Sequence, residues 1–374
     1  MKKNPLLEIQ TYGQSIWQDF ISRQDMRAGN LPRRIEQDGL RGVTSNPSIF
    51  NEAIGGSTDY DEDIRDLARQ GRSAAQIYEA LTVGDVREAA DLLRPLYDAS
   101  DARHGYVSLE VNPHLARDID GTLSEARHLW RAVDRPNAMI KVPATREGLT
   151  CIERLIGEGV NVNVTLLFGL PRYREVAQAY IAGLMTRSQS GEPLERVASV
   201  ASFFLSRIDV LVDPQVEKHI KTGGEGADKA GKMRGLVAIA SARLAYQIYK
   251  DVFSKQDFKK LAERGARTQR VLWASTSTKN PAYPDLKYVE ALIGPETVNT
   301  LPQETLDAYR DNGRPASCLE EKLTEAEWVM RTLPELGIDI DRVTQQLEDE
   351  GIEKFNKPYD SLMQKIEKKR TQAL

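Results

Sequence analysis

The chain has 374 residues, with 51 lysines and arginines against 55 aspartates and glutamates, a formal charge of −4. That balance excludes a broad electrostatic footprint for nucleic acid but still allows a local basic pocket for a small anion. The length by itself suggests about two or three domains, and a hydrophobic fraction of 40% can fill a large core.

A short N-terminal helix is expected over 5–14, and apolar runs follow at 15–21 (SIWQDFI) and 41–46 (RGVTSN). The stretch 85–98 has helical spacing. Asp85 and Glu88 read as a capping box, and Val86, Ala89, Ala90 and Leu93 share one face. A strand at 106–112 (YVSLEVN) precedes a helix at 122–133, opened by Thr122 and Glu125, with Ala126, Leu129, Trp130 and Val133 on its apolar side. Strand 138–143 (AMIKVP), helix 149–157, strand 161–168 (NVNVTLLF), helix 171–187 and strand 197–204 (VASVASFF) continue the alternation. An insertion around 213–232 leads into a helix near 232–253, then strands at 270–276 (RVLWAST) and 297–301 (TVNTL). The charged segment 319–374 reads as a helical extension packed on the outside.

Most of these strands are apolar on both faces, as buried parallel strands are when helices cover the sheet. Eight strands with helices between them predict an α/β fold, a (β/α)8 TIM barrel of one domain spanning 1–374, with additional outer helices. A doubly wound sheet would bind nucleotide at a Gly-rich first turn, and no G-x-G-x-x-G follows any strand.

The informative residues are polar ones in apolar strands. Asp19 interrupts IWQDFI, Glu110 interrupts VSLEV, and Lys141 sits between Ile140 and Val142. Asn163 and Thr165 lie two apart, so they share a face. Asn46 follows RGVTS, and Ser202 follows VASVA. Burying a charge is costly unless it is paired, and TIM barrels keep their active sites at the C-terminal mouth. The plainer reading is an ion-pair network that only fixes strand register; it explains one such residue better than five spread over four strands. Chemically, a lysine in an apolar wall favours the neutral, nucleophilic amine. Such an amine adds to a ketone to give an iminium, an electron sink. Asp19 and Glu110 are candidates for the base and the proton shuttle that this chemistry needs. Asn46 and Asn163 could hold substrate hydroxyls, and Thr165 a water.

The segments SIWQDFISR, GVTSNPSIF, YVSLEVNP, MIKVPAT, GVNVNVTLLF, ASFFLSRID and LWASTSTKNPAY span 15–283 in order. Together they resemble the transaldolase family, in its longer branch. The resemblance implies a transferase of the pentose phosphate pathway that uses no metal or organic cofactor. A dihydroxyacetone unit would pass from sedoheptulose 7-phosphate to glyceraldehyde 3-phosphate, giving erythrose 4-phosphate and fructose 6-phosphate. It further implies Lys141 as the imine-forming lysine and Asp19 as the base that takes the C4 hydroxyl proton. Glu110 would be the acid/base, acting through a water held with Thr165. Asn46, Asn163 and Ser202 would line the dihydroxyacetone site, and Arg207 and Ser275 would help bind phosphate. Where many members carry an arginine two residues after that serine, this chain has Ser277, and Lys279 is expected to make the phosphate contact. The partners implied are sugar phosphates, with no nucleic acid and no membrane; a homodimer is carried as an expectation.

Two alternatives share the barrel. An aldolase releasing free dihydroxyacetone tends to have glutamine at Glu110 and tyrosine at Phe204, and a non-catalytic sugar-phosphate binder would not need Lys141. The near-P-loop GADKAGKM (226–233) has Met233 in place of Ser/Thr and no preceding strand, so it reads as a loop. His104, His114, His128 and His219 lack metal-site spacing. Cys151 reads as a packing residue, and Arg207 could instead pair with Asp209. Two cysteines, Cys151 and Cys318, suit a reducing compartment. No signal-like or spanning apolar stretch occurs, so a cytoplasmic protein is expected.

Overall fold

The computed structural model describes residues 4–374. Eight parallel strands close into a barrel in sequence order: β1 (Gln14–Asp19), β2 (Gly42–Thr44), β3 (Tyr106–Glu110), β4 (Ala138–Pro143), β5 (Val162–Leu167), β6 (Ser199–Phe204), β7 (Arg270–Ala274) and β8 (Thr297–Leu301), with β8 returning to pair β1. All eight expected strands are present, and those at 138–143 and 297–301 match to the residue. With helices between the strands, this is the (β/α)8 barrel that the alternation predicts.

The barrel interior is packed rather than hollow. Trp17 is fully buried and lies 6.4 Å from the Tyr106 ring. Gly42 faces Trp17 so closely that a Cβ would stand 2.6 Å from the indole; no larger residue fits there without moving the ring.

Several helix starts differ from the expected ones. The helix around 85–98 begins much earlier, at Ala74, and its capping box is Ser73 with Gln76. Asp85 lies in mid-helix and buried, with its carboxylate bound to Tyr60 and Arg23. The helix Ile119–Val133 is capped by Asp118; Thr122 instead donates to the Leu115 carbonyl, and Glu125 accepts the Asn112 N–H. In both cases the spacing of a capping box is present, but Asp85, Thr122 and Glu125 are held by other partners. The 226–233 stretch is no loop: it lies within a helix, Glu225–Met233, and the next helix starts only at Val237, after Gly235 at φ +70°.

Helices Leu323–Glu335 and Ile340–Ala373 form the C-terminal extension. The long one runs over the mouth of the barrel. It contacts β5, the helix Ser206–Thr222 after β6, the turn Pro113–Leu115 after β3 and the helix Pro47–Ala53 after β2. Its amphipathic sequence told of an apolar face but not of which surface that face covers. Gly351 lets it pass close to β5, since a Cβ there would meet Leu166 at 3.0 Å. Lys365 reaches Asn51 and Lys369 reaches Asp61 at the far rim.

Candidate active site

The strand register aligns the polar set. Glu110 on β3 is level with Lys141 on β4, which is level with Asn163 on β5; Pro143 is level with Thr165, and Asp19 on β1 with Thr44 on β2. Because side chains alternate along a strand, the inward positions near the C-terminal ends converge on the mouth. A cavity of about 200 Å³ there is lined by Lys141, Asp19, Asn46, Thr165, Ser202, Arg207, Ser275 and Lys279. Glu110 and Asn163 sit behind its surface, each joined to it through a neighbour.

Lys141 is buried, at 5% exposure. Its amine donates to the Ser45 carbonyl at 2.8 Å and lies 3.1 Å from Glu110 Oε2. That approach is an ion pair without the alignment of a hydrogen bond, and both Glu110 oxygens lack an aligned donor from the protein. The amine is therefore not in the apolar wall that its strand neighbours suggest; the residue points inward to polar groups. Burial pushes the Glu110 carboxyl above its ordinary value, Lys141 pulls it back, and Asp19 adds to the rise. The Thr165 hydroxyl is fully buried and also has no protein partner.

Asp19 accepts a hydrogen bond from Thr44 Oγ1 at 2.7 Å, and Thr44 in turn lies 3.1 Å from Thr300 Oγ1. One carboxylate oxygen is thus anchored while the residue remains at the cavity. Ser202 donates to Asn163 Oδ1 at 2.7 Å, and Asn163 Nδ2 donates to Ser108 at 3.0 Å. Asn163 is completely buried and reaches the cavity only by holding Ser202. Asn46 caps the helix Pro47–Ala53 through its side-chain oxygen, accepting from Ile49 N–H at 3.1 Å, which leaves its amide hydrogens for a ligand.

At the opposite rim stand two cations. Arg207 opens the helix Ser206–Thr222 and forms no salt bridge among the described residues; its Nη1 is buried without a partner. It does not pair with Asp209, which is engaged by Lys287 at 3.0 Å and Tyr288 at 2.8 Å. Burial lowers the Arg207 pKa. Burial also lowers that of Lys279, with Arg207 the next cause, so the two cations feel each other. Lys279 donates to Ser277 Oγ at 2.6 Å. Ser275 is held at φ +55°, and its hydroxyl lies 3.0 Å from that of Ser206; such backbone strain is concentrated at functional sites.

Sequence reasoning missed four contributors: Thr44 and Thr300, which anchor Asp19, the Ser45 carbonyl that receives Lys141, and Phe355 from the C-terminal helix. Phe355 lines the cavity with its ring centre 6.0 Å from the Lys141 amine. The other singled-out residues lie elsewhere. Cys151 is buried, with its thiol pushed up to about 11 by burial. His114 contacts Asp360, and His128 contacts Glu79.

A family model described as Transaldolase/Fructose-6-phosphate aldolase matches residues 16–366. A protein named Transaldolase from Trichodesmium erythraeum is 46% identical, covering 99% of this chain and 98% of its own. One of the same name from Thiobacillus denitrificans is 47% identical over 96% and 98%, and one from Saccharopolyspora erythraea is 46% identical over the full length of both.

Proposed function

The chain belongs to the transaldolase/fructose-6-phosphate aldolase family, and on that premise we propose that Lys141 is the amine that carries a dihydroxyacetone unit from donor to acceptor. The enzyme is a transferase, a transaldolase acting on sugar phosphates. The observation that carries the residue assignment is the convergence of Lys141, Asp19 and two unpaired cations on one cavity at the barrel mouth.

In this reading the Lys141 amine adds to the C2 carbonyl of sedoheptulose 7-phosphate. Glu110, with its raised carboxyl, passes a proton through a water held by Thr165, and the carbinolamine loses water to give the iminium. Asp19 then takes the C4 hydroxyl proton. The C3–C4 bond breaks, its electron pair moves into the iminium, and erythrose 4-phosphate leaves. The remaining enamine attacks the aldehyde carbon of glyceraldehyde 3-phosphate, Asp19 returns the proton to the new hydroxyl, and hydrolysis releases fructose 6-phosphate. Ser202, fixed by Asn163, and the Asn46 amide would hold the dihydroxyacetone hydroxyls. Arg207 and Lys279, with Ser275, would cradle the phosphate; a lysine there supplies a point charge rather than a bidentate fork.

Transfer is favoured over release of free dihydroxyacetone by Glu110 and by Phe204. Phe204 lines the cavity with an apolar ring 5.9 Å from the Arg207 guanidinium and offers no hydroxyl to a water. No helix among the described residues is long and apolar enough to cross a membrane. A cytoplasmic location is part of the proposal, supported by two free cysteines. A homodimer is the assembly to test first, by light scattering. The reading itself is tested by a coupled assay with sedoheptulose 7-phosphate and glyceraldehyde 3-phosphate. Fructose 6-phosphate should form only when both are present, and release of free dihydroxyacetone from the donor alone would refute it.

A further inference from the structure

The opposite end of the barrel, at the N-terminal ends of the strands, holds a second cavity of about 330 Å³. Arg270, the first residue of β7, lines it at 8% exposure. Its guanidinium donates to Ser15 Oγ at 3.0 Å and to the Arg103 carbonyl at 3.0 Å. It forms no salt bridge among the described residues. Its hydrogen bonds go to neutral acceptors, and the Glu296 carboxylate acts on it only through space, so the charge of this buried guanidinium is only partly compensated. Burial brings its pKa down to about 10, so it remains a cation at neutral pH.

Arg103 and Arg267 line the same cavity. Their carboxylate partners are open to solvent: Arg103 pairs with Glu296, and Arg267 lies 3.0 Å from Asp101, whose side chain is 80% exposed. Exposed pairs of this kind contribute little, so an incoming anion can displace them. The field here is positive on balance. His104, 3.3 Å from the same Ser15 hydroxyl, is pushed down to about 3, by burial first and then by Arg270, Arg41 and Arg103. Seven non-glycine residues among the described ones are held at positive φ, and three of them, Asp101, Ala102 and Glu296, line this cavity. Strain of that kind is kept where the surroundings hold it in place, often at ligand sites.

We propose that this floor cavity binds a small phosphate-bearing metabolite, with Arg270 meeting the anion from inside the barrel and Arg103 and Arg267 closing on it from the rim. The planar forks of three arginines suit phosphate oxygens, and the volume suits a small metabolite. The site is distinct from the cradle of Arg207 and Lys279, which stands at the other ends of the strands.

The test uses inorganic phosphate as the probe and removes the first cradle. Titrated calorimetrically into the R207A/K279A enzyme, phosphate should still bind at one site per chain and should raise the thermal midpoint. Adding R267Q should weaken that binding about tenfold, the loss of one charge-assisted contact. R103Q should act in the same direction, and both positions are at the rim, where substitution spares the fold even if R270Q does not. R267Q in the otherwise intact enzyme should leave transaldolase turnover unchanged. Absence of phosphate binding in R207A/K279A, or binding indifferent to R267Q and R103Q, would overturn the proposal.

Discussion

Two buried ion pairs, one among the helices that flank β1 and β2 and one on the barrel strands themselves, differ in what surrounds them. Arg23 and Asp85 are closed off: one Asp85 oxygen accepts from Arg23 at 3.2 Å, the other from Tyr60 at 2.6 Å, and Arg23 also pairs with Asp63 and stacks 4.3 Å over the Tyr60 ring. Lys141 and Glu110 are left open. The amine has one carbonyl and an unaligned carboxylate, the Glu110 oxygens have no aligned donor, and the Thr165 hydroxyl beyond them has no partner. Burial is costly for both. In the first pair both carboxylate oxygens and two guanidinium nitrogens are engaged by neighbours, so it holds structure; the second keeps capacity that a substrate or a proton in transit can use.

The contrast is tested most severely at Lys141. Lys141→Met should lower kcat/KM by roughly 10⁴-fold or more in the coupled assay, with circular dichroism showing the barrel intact. Asp85→Asn should do the opposite, costing ~3 kcal/mol in denaturant unfolding because a buried arginine is left with only the half-exposed Asp63 as counter-charge, while kcat/KM of the folded enzyme stays near wild type. Activity lost without stability at Asp85 would erase the distinction. Asp19→Ala is expected to cut turnover by roughly 10³-fold and still allow Schiff-base formation, which would separate the base from the nucleophile.

Glu110 combines both kinds of effect. Its carboxyl is raised from 4.5 by burial, so its neutral form is favoured on folding. That contribution to stability is fully present below the ordinary value and is lost as pH rises through the raised one. Glu110→Gln should therefore lose less stability than wild type as pH climbs above 4.5, in thermal melts over a pH series, and should slow imine formation by about 10²-fold. The smallest effect is expected at the rim. Lys279→Met should raise KM for phosphorylated substrates by about tenfold with kcat little changed; a change confined to kcat would remove Lys279 from the phosphate cradle.

What the sequence made legible follows the same physics. The eight strands stand out because parallel strands buried on both faces cannot hide their apolar runs. Asp19, Glu110 and Lys141 stand out against those runs for the same reason. Thr44 and Thr300 do not, because a hydroxyl in a strand is unremarkable until its partner is known. The Ser45 contact is made by a backbone carbonyl, which any residue would supply. Phe355 is separated from Lys141 by more than half the chain, and a phenylalanine on an amphipathic helix looks like any core residue. Asp85 reads as a cap because its acidic neighbour three residues on fits that pattern, whereas in the fold it lies buried in mid-helix beside Val86, Ala89 and Ala90.

Reduction with borohydride in the presence of fructose 6-phosphate tests the central assignment most directly. Peptide mapping should find a single three-carbon adduct, on Lys141. An adduct on another lysine, or none at all in an enzyme that turns over, would contradict it.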